Sequence, residues 1–112
     1  MADEMIKNEG EAVGLLEVFG LVCAFLAADA GCKAANVRLD VFDKNKPANA
    51  DEMPIPLLVM VKFRGSVADV REAMEAAVAV AEEHGGIVQK HIIPRPTEDV
   101  EKMMKISALD KD

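Results

Sequence analysis

The chain has 112 residues, of which 51% are hydrophobic and only 4% aromatic, and its formal net charge at pH 7 is −7. This length is enough for one domain with one compact core. The acidic balance argues against nucleic acid as a partner, because binding phosphates requires clustered lysines and arginines. No apolar run is long enough to span a bilayer, and residues 1–11 are too polar for a signal peptide. We therefore expect a cytosolic protein whose two cysteines are free thiols.

The first third of the chain predicts an extension, a strand and a helix. Residues 1–11 are charged and aperiodic, so we expect a flexible N-terminal extension. Residues 12–19 are apolar on both alternating faces apart from Glu17, which is typical of a central strand. Residues 21–35 predict a helix. Its large apolar residues recur at helical spacing and are expected to face the sheet: Leu21, Val22, Phe25 and Leu26.

The end of this helix, residues 27–37 (AADAGCKAANV), is rich in small residues that allow another backbone to come close. Asp29 and Lys33 lie four residues apart on one helical face, with the acid first, which is the favourable order for an ion pair. We predict that this end lies at a repeated contact between identical subunits, with Lys33 at its edge. The small residues that permit this approach are Ala30, Gly31, Ala34 and Ala35.

The middle of the chain predicts two strands joined by a polar loop. Residues 37–42 alternate between apolar and polar, as in a half-buried strand. Residues 43–56 contain three prolines, and a loop of this length in a small domain is usually functional or disordered. Because the loop is too short for a crossover helix, the next strand, residues 57–64, is expected to pair antiparallel with the second strand.

The last part of the chain predicts a helix, a strand and a short third helix. Ser66 and Thr97 are the expected N-caps of the two helices. Residues 87–93 predict a strand, and residues 106–112 a tail. The element order β-α-β-β-α-β, followed by the short helix, predicts an α/β sandwich of ferredoxin-like type over residues 12–105, with a four-stranded antiparallel sheet and helices packed on one face. The buried stripe of the second helix is expected to consist of Val70, Met74, Ala77, Val78 and Ala81.

Few side chains suggest chemistry. Cys23 and Cys32 lie nine residues apart on opposite faces of one helix, so they cannot share a metal or form a disulfide and are expected to be small buried hydrophobes. His84 lies at a helix C-terminus, where the dipole favours imidazolium, and His91 has no ligand-spaced neighbour. The chain contains no phosphate-binding loop, dinucleotide fingerprint or nucleophile elbow. We expect no catalytic site, metal or cofactor.

Two loop features have alternative interpretations. Asp51 and Glu52 are adjacent and either bind a cation or a cationic metabolite, or only keep the loop soluble. Arg95 lies between Pro94 and Pro96, so its fixed backbone loses little entropy when it binds carboxylates or carbonyls. The other interpretation is an ordinary turn with an exposed arginine.

Three segments resemble the hexamer-forming shell proteins of bacterial microcompartments: VGLLEVFGL at 13–21, AADAGCKAANV at 27–37 and HIIPRPTEDVEKM at 91–103. The resemblance covers residues 11–104, and the order and spacing of the segments match. It implies a structural, non-enzymatic protein of the bacterial cytoplasm. Six copies would form a flat cyclic homohexamer, and hexamers would tile with one another and with other shell proteins around encapsulated enzymes.

The resemblance also implies roles for three residues at the edge of the hexamer. Lys33 matches the lysine that lies antiparallel to its counterpart across the seam between hexamers. Arg95 matches the arginine that reaches across the same seam, and Asn36 matches a neighbour that helps to hold the lysine. The turn between the second and third strands would surround the sixfold axis and line a pore for small metabolites.

The chain departs from the family at this pore. Members usually have a short loop of small residues such as Gly-Ser-Gly, whereas here Lys44 fits the preceding position and about nine extra residues, 45–53, follow without a glycine. Six copies of this loop would crowd the axis, and would plug the pore, form a collar around it or gate it. The predicted pore region comprises Lys44, Asn45, Lys46, Pro47, Asp51, Glu52, Pro54, Ile55 and Pro56.

A second hypothesis comes from another class of protein. Trimeric small-molecule-binding or regulatory domains of ferredoxin-like fold also carry a long loop between their second and third strands. The mass of the assembled protein separates a trimer from a hexamer. An enzyme is the weakest alternative, because the sequence contains no recognisable nucleophile and base pair.

Overall fold

A computed structural model of the chain describes residues 11–45 and 57–105. The elements follow the predicted β-α-β-β-α-β order with a short final helix, which confirms the fold class. In chain order they are β1 (Ala12–Phe19), α1 (Leu21–Ala34), β2 (Arg38–Leu39), β3 (Asp43–Asn45), β4 (Leu58–Gly65), α2 (Val67–His84), β5 (Ile87–Ile93) and α3 (Glu98–Met104).

The strands form one antiparallel sheet in the order β2-β4-β1-β5, and β3 also pairs with β4. β1 is central, as predicted from its two apolar faces. The described edges of the sheet are therefore β5 on one side and the β2–β3 segment on the other.

The second predicted strand, residues 37–42, is a strand only at Arg38–Leu39, and Asp43–Asn45, predicted to begin the polar loop, form β3. The described sheet therefore has five strands and not the predicted four. Leu39 pairs with Phe63, whereas Asp43 pairs with Met60, so this segment contains one more residue than the facing part of β4. The backbone N–H of Asp40 still donates to the carbonyl of Lys62 at 2.9 Å. A β-bulge with one extra residue explains the interruption, and such bulges are common at sheet edges.

The two long helices pack on the same face of the sheet. A Cβ built on Gly31 of α1 would lie 2.4 Å from the ring of Phe63, and one built on Gly14 of β1 would lie 2.8 Å from Val70 of α2. Gly14 and Phe63 are cross-strand partners and share a face. The core lies between this face and the helices, and its members include Leu16, Val18, Val59, Val61, Ala73, Met74, Ala77 and Ala81.

The face of α1 that packs on the sheet differs from the prediction. Val22 is 73% exposed, Phe25 56% and Leu26 39%, so the expectation that these residues face the sheet is wrong. Leu21 is half-buried and packs against the core. The helix approaches the fully buried Phe63 so closely that small side chains must lie beneath it. The buried residues of α1 are Cys23, Ala24, Ala27, Ala28 and Gly31.

The short helix α3 lies on the opposite face. Lys62 and Arg64 alternate with Phe63 along β4, so their side chains point away from α1 and α2. Arg64 donates from both terminal nitrogens to Glu101, at 2.9 and 2.5 Å, and the Lys62 ammonium donates to the Met104 carbonyl at 3.2 Å. The prediction of helices on one face therefore holds for the two long helices only.

Both predicted N-caps are confirmed. The Ser66 hydroxyl accepts a hydrogen bond from the Asp69 N–H at 3.1 Å, and the Thr97 hydroxyl accepts one from the Val100 N–H at 3.3 Å. These caps satisfy donors that the first helical turn leaves unpaired.

Candidate assembly surfaces

The two ends of the sheet carry different sets of predicted site residues. At one end, which we call the distal end, Arg38 of β2 and Ile93 of β5 belong to a single cross-strand row. At the other, the loop end, Asn45 of β3 pairs with Leu58 of β4. Six residues along β1 and β4 separate the two rows, which corresponds to about 20 Å at roughly 3.3 Å per residue.

Lys33 is exposed in the last turn of α1, at the distal end. Its ammonium lies 2.8 Å from the carboxylate of Asp29, and the two side chains are 75% and 60% exposed. This hydrogen bond raises the pKa of Lys33 above its ordinary value. An exposed i,i+4 pair contributes little to stability, so Lys33 keeps its charge and can exchange Asp29 for another acceptor.

Asn36 and Arg95 are also exposed at the distal end. Asn36 lies in the bend between α1 and β2, near Lys33 in sequence. Arg95 lies in the bend after β5, with Pro94 exposed and Pro96 half-buried. Because three strand spacings separate β2 from β5, about 14 Å of sheet lies between these bends. The three residues therefore occupy two corners of one end and do not form a single cluster.

The predicted pore region lies at the loop end where the structure describes it. Lys44 is exposed and pairs through its backbone with Val59, and Asn45 ends β3. The remaining members of the predicted set lie outside the described residues: Lys46, Pro47, Asp51, Glu52, Pro54, Ile55 and Pro56.

The cysteines and histidines do not come together. Cys23 is buried as expected, whereas Cys32 is exposed, so the expectation of a buried residue is wrong there. Desolvation raises the pKa of both thiols, and the charge of Asp29 adds to the effect at Cys32. His84 and His91 are both exposed. Within residues 11–45 and 57–105 no three or more His, Cys, Asp and Glu side chains are grouped to hold a metal ion.

An apolar surface at the β2–β3 edge was not expected from the sequence. Phe25 of α1 contacts Phe42, with ring centroids 5.3 Å apart and the planes tilted by 43°. Leu39 and Val41 are exposed on the neighbouring edge segment. We call these four residues the lateral patch. The sequence did contain one signal for this surface. The apolar residues of α1 are distributed around the whole helix, so some of them must point away from the sheet.

An open groove lies at the opposite edge, between α2 and β5. Its volume is about 430 Å³. Met74, Val78 and Ile92 provide apolar lining, and Arg71 and Lys90 bring positive charge to it. We call it the edge groove. The lateral patch and the edge groove are thus different surfaces on opposite sides of one domain.

A family model described as BMC domain matches residues 12–96. The chain belongs to the BMC-domain family. A carboxysome shell protein CcmK3 from Halothece sp. is 37% identical over 102 residues, covering 89% of this chain and 91% of that protein. The bacterial microcompartment shell protein PduA of Salmonella typhimurium is 40% identical over 94 residues, covering 84% and 90%. The resemblance inferred from the three segments is therefore confirmed.

A solved structure supports the same family. A microcompartment protein from Desulfitobacterium hafniense superposes with a TM-score of 0.65 at 28% identity, covering 88% of this BMC-domain chain. The chain spans about half the length of that solved protein, 48%. None of the helices among the described residues is long and apolar enough to cross a membrane.

Proposed function

We propose that this BMC-domain chain is a structural tile of a bacterial microcompartment shell, in which six copies form a flat ring and rings join edge to edge. The observation that carries the proposal is the separation of the two predicted sets of residues. Lys33 and Arg95 belong to the distal end of the sheet, whereas Lys44 belongs to the loop end. A radial arrangement with the loop end at the axis would leave the distal end at the perimeter.

The charges at the distal end suit a seam between like-charged tiles. Each chain has a net charge of −7, so two facing edges repel one another. Lys33 brings a positive charge to the edge, and Asp29, 2.8 Å away, reduces the repulsion between two lysines that meet across a two-fold axis. The ammonium has three donors. After its bond to Asp29 it can still donate to carbonyls of the facing chain.

Weak contacts of this kind are sufficient because they repeat. Each hexamer would present six edges. When neighbouring tiles already hold a hexamer in place through some edges, its remaining seam contacts form more readily, so many weak contacts together give a stable sheet. Closed cyclic symmetry within the ring requires a head-to-tail contact, whereas the seam requires a two-fold one.

The end of β3 and the residues that follow it, up to residue 56, would surround the axis and control the passage of small metabolites. Other shell proteins and encapsulated enzymes would be the macromolecular partners, in the bacterial cytoplasm. The named relatives are shell proteins, and the proposed role is likewise structural and not enzymatic.

The seam is tested with Lys33→Ala. This substitution removes the donor at the edge. It should leave the hexameric mass unchanged and abolish the sheets or tubes that we expect the wild type to form in electron micrographs. Lys102→Ala is the matched control, because it removes another exposed lysine, from α3, and should leave sheets intact. If Lys33→Ala assembles into sheets as the wild type does, the edge assignment is wrong.

A further inference from the structure

We infer that α3 is a clamp that positions Arg95 for the seam between rings, and that the bond between Glu101 and Arg64 closes the clamp. Glu101 and Arg64 are thus positioning residues, which act through Arg95 and not by contact with the facing copy. The inference deepens the proposed function and rests on it, because it requires Arg95 to lie at the seam.

The bend after β5 is fixed at both ends by one cross-strand row of the sheet. Ile93, the last residue of β5, pairs with Val13 of β1, and Val13 pairs with Arg64 of β4. The chain leaves this row after β5 and returns to it where Glu101 of α3 binds Arg64. Two strand spacings, about 10 Å, separate the two ends. The bend is therefore part of a short loop whose ends are both attached to the same row.

The bond that closes this loop is directional. Arg64 donates from its two terminal nitrogens to the two carboxylate oxygens of Glu101, and its side chain is 1% exposed. A bidentate pair of arginine and carboxylate fixes the orientation of the two groups as well as their distance. The carboxylate of Asp40 also lies 3.5 Å from this guanidinium. The position of Glu101 is thus determined by β4 and its neighbouring edge.

The helix α3 depends on such contacts for its own order. It has seven residues, too few for a helix that is stable in isolation. The Thr97 hydroxyl caps its first turn, and the Lys62 ammonium donates to the Met104 carbonyl in its last turn at 3.2 Å. Loss of the bond between Glu101 and Arg64 would therefore loosen the helix and the bend that precedes it.

The prolines beside Arg95 do not replace the clamp. Pro94 and Pro96 restrict their own φ angles and the residues before them, which stiffens the bend locally. The direction that the bend takes from the end of β5 depends on where the following helix lies. Arg95 is exposed in this bend, so the location of α3 determines where its guanidinium can reach.

The burial of two cations favours a positional role for this contact. Lys62 is 4% and Arg64 2% exposed beneath α3. Taking charges out of water costs free energy that an ion pair barely recovers, and apolar side chains of similar size often stabilise a protein as well or better. An apolar contact would therefore suffice for stability alone, whereas the bidentate bond adds a defined geometry.

Glu101→Gln tests the clamp, because it keeps the size of the side chain and removes the charge that Arg64 binds. Native mass spectrometry should still show hexamers. Ordering a long side chain anew weakens a contact by a factor of about 2–10, so the protein concentration at which sheets sediment should rise by at least about threefold. Hydrogen exchange in dispersed hexamers should become faster at the backbone amides of residues 97–104.

A double-variant cycle separates positioning from a loss of stability. Arg95→Ala should raise the concentration required for sheets by itself, while Lys33 still holds the seam. In that background Glu101→Gln should cause no further rise, because no guanidinium is left to position. Val18→Ala is the matched control. It opens a cavity in the core on the other face of the sheet, which lowers stability, and should leave the required concentration unchanged.

If circular dichroism shows that Glu101→Gln is unfolded, Arg64→Lys replaces it in both backgrounds. Lysine keeps the buried charge but lacks the two parallel donors, so the same rise is expected.

Two results would overturn the inference and leave the seam in place. One is a folded clamp variant that forms sheets at the wild-type concentration, and the other is an equal rise with and without Arg95. If Arg95→Ala forms sheets as the wild type does, the proposed seam role of Arg95 is wrong, and the inference fails with it. The two failures are therefore distinguishable.

Discussion

Replacing Gly31 with alanine tests why α1 lies so close to the sheet. The added Cβ would lie 2.4 Å from Cζ and 2.6 Å from Cε1 of Phe63, and 3.1 Å from the carbonyl oxygen of Ala73. Ordinary contacts of a Cβ are 3.4–4 Å, so the ring must move by about 1 Å. Phe63 is fully buried, and the Ala73 carbonyl oxygen of α2 also lies 3.1 Å from the added Cβ, so α1 has little room to shift.

The magnitude follows from two opposing effects. Overpacking a filled core costs about 1–3 kcal/mol, and contact with two ring atoms and a backbone oxygen places Gly31→Ala near the upper value. Alanine is about 1 kcal/mol more favourable than glycine within a helix. We therefore expect a net destabilisation of about 2 kcal/mol. Ala30→Gly, on the same helix, measures the propensity effect at a half-exposed position.

The assay is urea unfolding of each variant at one protein concentration, because assembly adds stability that depends on concentration. Phe63→Leu should relieve the clash, so the double variant Gly31→Ala/Phe63→Leu should lose at least 1 kcal/mol less than the sum of the single losses. A Gly31→Ala protein as stable as the wild type would refute the packing argument.

Two further predictions concern the cations beneath α3. The side chain of Arg64 is 1% exposed, and among the described residues Glu101→Gln leaves it with one carboxylate partner, Asp40, at 3.5 Å. We expect this substitution to lower the free energy of unfolding by about 2–3 kcal/mol, measured by urea unfolding. An unchanged urea midpoint would contradict the prediction. Burial lowers the pKa of Lys62 below 10.5, so between its folded and unfolded pKa values the unfolded chain binds more protons and stability rises with pH. In thermal melts at increasing alkaline pH, the wild type should gain stability relative to Lys62→Met. A difference in melting temperature between the two proteins that stays constant with pH would contradict this prediction.

Local sequence patterns were sufficient for the element order. The caps at Ser66 and Thr97 and the two apolar faces of β1 depend on neighbours in the chain, and each prediction is confirmed. The orientation of α1 was not predictable in this way, because its apolar residues surround the helix. The side that packs on the sheet is determined by Phe63, about thirty residues further along the chain.

Long-range contacts also explain the other differences. The interruption between β2 and β3 arises from pairing with β4, and the face occupied by α3 is fixed by the bond between Glu101 and Arg64. Gly31 was expected to permit the approach of another subunit, but its small size serves packing within the chain. The roles of Lys33, Asn36 and Arg95 remain predictions, because they depend on neighbouring copies.

The native mass of the wild-type protein tests the central claim most directly. Native mass spectrometry at a concentration where sheets are dispersed should give a single assembly of six 12.1 kDa chains, about 73 kDa. A three-membered ring of about 36 kDa, or a persistent monomer, would contradict the account of this chain as a hexameric shell tile.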